Sequence, residues 1–436
     1  MSSNGTPEIA AAQGEVQRYC QHLDSLLLYR SVFQTSVGEA FRALLEALQR
    51  GDAALSLRCY AAWFQALACT GGSWGTYLLW QIAYAENPFT TQAQRWDYGG
   101  LPPALVAAAV HDLEQLQTLY QLSGAQVAGW VQAIARLPAI PVAWSMDEDT
   151  PPLLPLTTEI PWAEAVEVLA THYRRHGAGL LAQYRAFSWR SGALHGIAEP
   201  DPIRLDQLTA YDHPRQQLIQ NTLALLKGYP ALNVLLYGSR GSGKSSLVKA
   251  LVNEYAPQGL RLVEVAKGDL QALPEIVADL RSRPQKFIIF VDDLSFEEDD
   301  DQFKALKVVL EGSSTARPAN VVVYATSNRR HLVREFFGDR PRPSDQDDVQ
   351  AWDTMQEKLS FSDRFGLTLT FEPADQPTYL AIVRHLAQQA QIPLTDEELT
   401  ARALQWATRH NGRSGRAARQ FIDWLTAELG LGTGAL

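Results

Sequence analysis

Residues 238–245 read Gly238-Ser-Arg-Gly-Ser-Gly-Lys244-Ser245, a complete match to G-x-x-x-x-G-K-[ST]. Each residue type has a chemical reason. Glycines let backbone N–H groups turn inward around phosphate oxygens, and the positive end of a following helix strengthens that field. A lysine at position 244 reaches the β- and γ-phosphates, while a hydroxyl at 245 is a ligand for Mg²⁺. The expected phosphate contacts are therefore Gly238, Ser239, Gly241, Ser242, Gly243, Lys244, Ser245 and Ser246. By amino-acid frequency alone such a string arises in roughly 1–2% of chains of this length, so the match carries weight before any context is added.

A second chemical group is Lys286-Phe-Ile-Ile-Phe-Val-Asp292-Asp293, an apolar run that ends in two acids. Asp292 is expected to hold Mg²⁺, directly or through water, and Asp293 to polarise an attacking water as general base. The acids continue from Glu297 to Asp301, which reads as a solvated face or a partner surface. Guanine is read in GTPases by Asn/Thr-Lys-x-Asp, and no lysine here has that context. Adenine is the expected base, which makes ATP and Mg²⁺ the expected ligands. His172 and His176 share a helix face at i,i+4 but have no visible third ligand, so they read as surface histidines.

These groups need elements to hold them. A phosphate loop must follow a strand and open a helix, and Asn233–Tyr237 and Lys244–Tyr255 have those patterns. Further short apolar runs lie at Leu260–Val265, Phe287–Val291, Val321–Ala325 and Leu367–Phe371, separated by helical patterns. That alternation predicts an α/β fold, a parallel sheet sandwiched by helices. After Phe371 only helical patterns remain: Pro377–Gln391, Asp396–His410 and Gly415–Leu429.

The first half is helical throughout, with apolar residues spaced by three and four in Val16–Phe33, Val37–Gln49, Leu55–Ala68, Pro103–Leu122 and Ala125–Leu137. Cys59–Ala85 carries no charge, yet Thr70-Gly-Gly-Ser73 breaks it into pieces too short for the roughly 20 apolar residues a bilayer requires. A buried helical hairpin is expected there, and no membrane span. Residues 138–161 are Pro-rich and read as a linker, followed by a helix over Trp162–Tyr184 and a loop through Gly192 to Pro202. The predicted domains are 1–190, an all-α N-terminal domain; 191–373, the α/β core; and 374–436, a helical lid.

Residues 203–429 resemble an AAA+ ATPase module. Val321-Val-Val-Tyr-Ala-Thr-Ser-Asn328 is similar to its sensor-1 strand, and Ser360-Phe-Ser-Asp-Arg364-Phe-Gly to the box that sends an arginine finger to the neighbouring subunit's γ-phosphate. Gly412-Arg-Ser-Gly-Arg416-Ala-Ala-Arg419 is similar to the sensor-2 motif, and Leu205-Asp-Gln-Leu-Thr-Ala-Tyr211-Asp to the segment beside adenine. The resemblance implies that Asn328 orients the attacking water, that Arg364 acts in trans in a homo-oligomer, and that Arg416, or Arg419, touches nucleotide. Arg329 and Arg330, just after sensor 1, are the less favoured candidates for an interface role. More narrowly, Asp-Asp-Leu-Ser-Phe-Glu and Ala-Thr-Ser-Asn-Arg-Arg-His-Leu resemble an uncharacterised bacterial AAA+ family, domain of unknown function 815. Two positions depart from the superfamily pattern: Asp293 stands where most members carry Glu, and Ala210 where Gly is usual.

Composition bounds the rest. The chain has 436 residues, 46% of them hydrophobic, enough for two or three domains. Cys20, Cys59 and Cys69 make neither a disulfide framework nor a zinc spacing, and the N-terminus lacks a basic region leading into an apolar core; a cytoplasmic protein is expected. The net charge of −10 opposes a fold that grips phosphate backbones along its length, so nucleic acid is a weakly supported partner. The region after the second strand, Ala266–Pro274, has no aromatic, which disfavours a protein-threading motor. A small-molecule kinase is disfavoured because its chemistry has no use for the sensor-1 and arginine-finger elements. The expected function is a Mg-dependent, ATP-hydrolysing oligomeric remodeller or loader with an unknown protein client. The alternative is a slowly hydrolysing ATP-dependent switch or scaffold that binds partners through its helical N-terminal domain.

Overall fold

The computed structural model describes residues 5–146, 154, 156, 160–294, 301–311, 318–328, 364–410 and 412–431. Arg329, Arg330, the acids at 297–300 and Ser360–Asp363 lie outside the described residues. The chain divides into two compact units, Met1–Gln183 and Tyr184–Leu436.

The first unit is helical: α1 (Gly5–Asp24), α2 (Ser36–Arg50), α3 (Ala53–Thr70), α4 (Trp74–Tyr84), α5 (Pro88–Ala93), α6 (Pro103–Tyr120), α7 (Gly124–Ala135), α8 (Val166–His176) and α9 (Leu180–Gln183). The uncharged stretch forms a hairpin of α3 and α4, turned at Gly71 with φ of 68°, and no helix among the described residues is long and apolar enough to cross a membrane. Its apolar faces meet in an aromatic core, where Trp74 lies 4.3 Å from Phe41 and 5.8 Å from Trp63, centroid to centroid. Such ring pairs add about 0.5–1.5 kcal/mol each beyond the area they bury.

Two expected helices are broken: Trp162–Tyr184 is a 3₁₀ turn over Trp162–Ala165 followed by α8 and α9, which Gly177 and Gly179 separate at positive φ. The spacing also predicts a continuous helix over Val16–Phe33, yet α1 ends at Asp24 and Tyr29–Phe33 is a separate 3₁₀ turn. The cause is Asp112 of α6, a fully buried carboxylate. It accepts from the backbone N–H groups of Leu27, Leu28 and Tyr29 at 2.7–3.1 Å. N–H groups held by a side chain are not available to carbonyls four residues back, so the helix stops.

The second unit is built on a seven-stranded sheet: β1 (Ala186–Arg190), β2 (Ala193–Gly196), β3 (Val234–Gly238), β4 (Leu260–Glu264), β5 (Lys286–Val291), β6 (Val321–Ser327) and β7 (Leu367–Phe371). The order is β2-β1-β4-β5-β6-β3-β7, parallel except for the β1–β2 hairpin. The hairpin corrects the expectation of a helix end and loop here, and the expected domain boundary at 190 falls between its two strands. Ser191 and Gly192 at φ of 50° and 77° make the tight turn, and β1 continues the sheet by pairing with β4.

Helices α10 (Asp212–Leu226) and α11 (Lys244–Tyr255) pack Leu218, Leu225, Val248 and Leu251 onto Val234, Leu236, Leu262 and Ile288. The alternate residues Leu235, Val263, Ile289 and Val323 are buried as well, as a sheet covered on both faces requires. Helices α12 (Leu273–Arg281) and α13 (Asp301–Glu311) follow β4 and β5, and the lid is α14 (Gln376–Gln389), α15 (Asp396–Arg409) and α16 (Gly415–Gly430) around Tyr379, Val383, Phe421 and Leu425.

Asp112→Ala is expected to destabilise the first unit by about 3 kcal/mol, because it strands buried N–H groups. Asp112→Asn keeps an acceptor oxygen and should cost clearly less. Denaturant unfolding followed by tryptophan fluorescence checks this, since seven of the eleven tryptophans lie before residue 184. Equal stability of Asp112→Ala and the parent would remove Asp112 as the helix-breaking group.

Candidate functional site

The loop between β3 and α11 turns sharply, and two of its glycines are there for measurable reasons. Gly238 has φ of 133° and lies beside Phe371 at the end of β7, where a Cβ would meet the Phe371 carbonyl oxygen at 2.0 Å. The adjacent Ser239 N–H donates to that same oxygen at 2.8 Å. Gly241, at φ of 71°, is the other close approach: a Cβ there would press on Ser414 Oγ at 3.0 Å and Arg416 Cβ at 3.1 Å. Arg416 N–H donates to the Gly241 carbonyl at 3.1 Å, so the first turn of α16 rests on the phosphate loop.

Lys244 opens α11 and is buried, with Nζ donating to the carbonyls of Gly238 at 3.0 Å and Ser239 at 2.7 Å. Burial pushes its ammonium below the ordinary lysine range, while Asp292 and Asp293 pull the other way. A partly desolvated cation held beside a loop of inward N–H groups is suited to a polyanion.

The acids sit at the C-terminal end of β5. Asp292 Oδ1 accepts from Ser245 Oγ at 2.6 Å and from Thr326 Oγ1 at 2.5 Å. Thr326 in turn accepts from the Asp293 N–H at 2.9 Å, and Asn328 Nδ2 donates to Asp293 Oδ1 at 2.7 Å. Asp293 itself takes φ of 51°, left-handed and uncommon for a residue with a side chain. The two adjacent acids thus diverge: Asp292 faces Ser245, and Asp293 faces Asn328. A hydroxyl and a carboxylate within 2.6 Å form an all-oxygen donor set that fits Mg²⁺.

Thr326 belongs to no site residue expected from the sequence. It is 2% exposed and links both acids. The available signal is register: Val291 pairs with Ala325, so the next residues along, Asp292 and Thr326, leave the sheet side by side.

All these groups border a cleft of about 990 Å³. Its polar end carries Lys244, Ser245, Ser246, Asp292, Asp293, Thr326 and Asn328, with Arg416 and Arg419 from the lid. Its other end is lined by Ile203, Leu208, Ile382 and Leu386. The segment expected beside a base contributes Gln207, Leu208 and Thr209, and its Ala210 and Tyr211 both have positive φ, 69° and 56°. That conformation explains why Gly is the usual residue at 210.

Arg364 is not part of this lining. It precedes β7, whose residues Leu367 to Phe371 pair with Val234 to Gly238. At about 3.3 Å per residue, the strand alone carries it roughly 13 Å from the phosphate loop. The His172 and His176 rings lie 4.5 Å apart and tilted in the first unit, and burial pushes His172 down to about 4. No group of three metal-ligating side chains exists among the described residues.

Residues 182–429 match the family model described as Protein of unknown function (DUF815). The replication factor C large subunit of Staphylothermus marinus is 38% identical over 76 residues, which is 17% of this chain and 17% of that protein. This chain therefore spans well under two thirds of that relative. The Thermotoga maritima RuvB Holliday junction branch migration motor superposes with a TM-score of 0.31 at 14% identity, over 51% of this chain and 72% of that one.

Thr326→Val removes the hydroxyl shared by both acids and keeps the shape of the side chain. Binding of Mg-nucleotide is expected to weaken about tenfold, with much less effect when EDTA removes the metal. Competition against a fluorescent nucleotide measures both; equal losses with and without Mg²⁺ would place Thr326 outside the metal's support.

Proposed function

This chain belongs to the DUF815 family and carries an AAA+ nucleotide-binding module, and we propose that it is a Mg-dependent ATPase that works as a homo-oligomer. The observation that carries the proposal is the convergence of Lys244, Ser245, Asp292, Asp293, Asn328 and Arg416 on one cleft, with an apolar end of the right character for a purine. Lys244 would exchange its bonds to the loop carbonyls for bonds to the β- and γ-phosphates. Ser245 and Asp292 would hold Mg²⁺, which, when bound, neutralises charge on the phosphates. Asp293 would accept the proton of the attacking water, and Asn328 would orient both the acid and the water. Arg416, on the lid, would close over the phosphates from the opposite side.

Arg364 supports the oligomeric part of the proposal by its position. It lies at the end of β7 away from the chain's own phosphate loop, so an action on a γ-phosphate would have to be on a neighbour's. Such an arginine raises phosphoryl transfer by about 10³–10⁵. The helical N-terminal region would bind the client, in a cytoplasmic setting, and the cycle of lid and interface would remodel or load it.

A second reading has its own observation. Asp293 is one methylene shorter than the usual Glu and is already engaged by Asn328 at 2.7 Å. A base so placed favours a slow hydrolyser, a switch that holds ATP and hands over partners.

ATP turnover per subunit, measured with Mg²⁺ over a wide range of protein concentration, separates these. The ATPase reading expects a rate that climbs and saturates, an Arg364→Ala variant that loses the climb, and a Lys244→Ala variant that no longer binds ATP. Tight ATP binding with negligible turnover at every concentration favours the switch. A constant, appreciable rate that survives Arg364→Ala would sink the trans arrangement.

A further inference from the structure

The apolar end of the cleft is walled by a strap, Asp201-Pro202-Ile203, that belongs to no helix or strand. Loops of this kind hold their shape only when their backbone groups are satisfied. Here Asp201 Oδ1 accepts from the Ile203 N–H at 3.2 Å, and a side chain from outside the strap serves its carbonyls: Asn253 Nδ2 donates to those of Asp201 and Ile203, each at 2.7 Å. Asn253 stands on α11, the helix that opens with Lys244 and Ser245. One rigid rod therefore presents the phosphate site at its N-terminus and pins the opposite wall of the cleft from its third turn. Nine residues at about 1.5 Å each separate Lys244 from Asn253 by roughly 13.5 Å.

The 3₁₀ turn that follows the strap, Leu205–Gln207, is gripped from the lid. The Asp206 carbonyl accepts from His385 Nε2 at 2.7 Å and from Gln389 Nε2 at 3.2 Å, both on α14. The segment is thus tied to the phosphate helix at one end and to the lid at the other.

We propose that Asn253 is a positioning residue for the nucleoside moiety of the bound nucleotide: it sets the wall of the base end and so contributes to affinity for the base, not for the phosphates. This rests on the nucleotide reading above and extends it to a residue outside the phosphate loop and the acids. Ile203 and Leu208 supply the apolar contact, and Asn253 fixes Ile203 where that contact is made.

The test compares ATP with inorganic tripolyphosphate, both with Mg²⁺, by calorimetric titration of the full chain and of Asn253→Ala. The expected result is an ATP dissociation constant raised about tenfold with the tripolyphosphate constant unchanged. Asn253→Leu, which keeps the side-chain size without the donors, should repeat that split and guards against a variant that folds poorly. Unchanged ATP affinity overturns the proposal. So does an equal loss for ATP and tripolyphosphate, which would mean that Asn253 serves only the helix and its phosphate loop. If the parent protein binds tripolyphosphate and ATP equally well, the base end is not a nucleoside site, and the proposal falls while the phosphate site stands. If the parent binds neither, the nucleotide reading itself fails.

Discussion

Neighbouring strands of a parallel sheet end on the same edge, and their terminal residues stand less than about 5 Å apart. In this chain β3, β5 and β6 end together, and they lead directly into the phosphate loop, the paired acids and Asn328. No single element holds the site. It exists because Leu236 pairs with Thr326 and Val291 with Ala325, so a slip of one residue would turn Thr326 away from Asp292 and separate the acids from Ser245. The core on either face, with β6 buried along its whole length, is what makes such a slip costly.

The same edge requires close approaches that most side chains would forbid. β7 runs beside Gly238 with the Phe371 carbonyl nearer than a methyl group would allow, and the start of α16 presses closely on Gly241. A lid resting directly on the phosphate loop couples the two without an intervening side chain. Arg416 contributes to that contact through its backbone, which leaves its guanidinium for the cleft.

Much of this is legible in the residues. Four apolar runs became the parallel strands β3 to β6 because strands buried on both faces must be apolar throughout, the fifth became the edge strand β7 with Thr368 and Thr370 exposed, and the P-loop string sits at the junction where it can work. Other features are not legible there. The helix expected through Phe33 depends on Asp112, some eighty positions away, and periodicity does not report a distant acceptor. The β1–β2 hairpin, Ala-Phe-Ser-Trp-Arg and Ala-Leu-His-Gly, has polar residues within both strands and so shows no continuous apolar run. Thr326 and Asn253 act through hydrogen bonds fixed by register and helix phase; Thr326 sits inside the sensor-1 string with no role read for it there, and Asn253 belongs to no motif. Asp293 is recognisable as an acid in the right place, but not its left-handed backbone, which turns its carboxylate from Ser245 toward Asn328.

Ala210 and Tyr211, just before α10, touch both the lid and the end of β7. The Ala210 methyl packs on the lid's apolar cluster, and the Tyr211 ring lies 5.2 Å from Phe371 at the end of β7. Glycine at these positions would bend smoothly, because both hands of the backbone are open to it. Residues with a Cβ have only a narrow left-handed well, separated from the common ones by a steric barrier. Any shift of this segment against the lid would therefore proceed by jumps between discrete backbone positions, a contact that clicks into place where a glycine would let it swing.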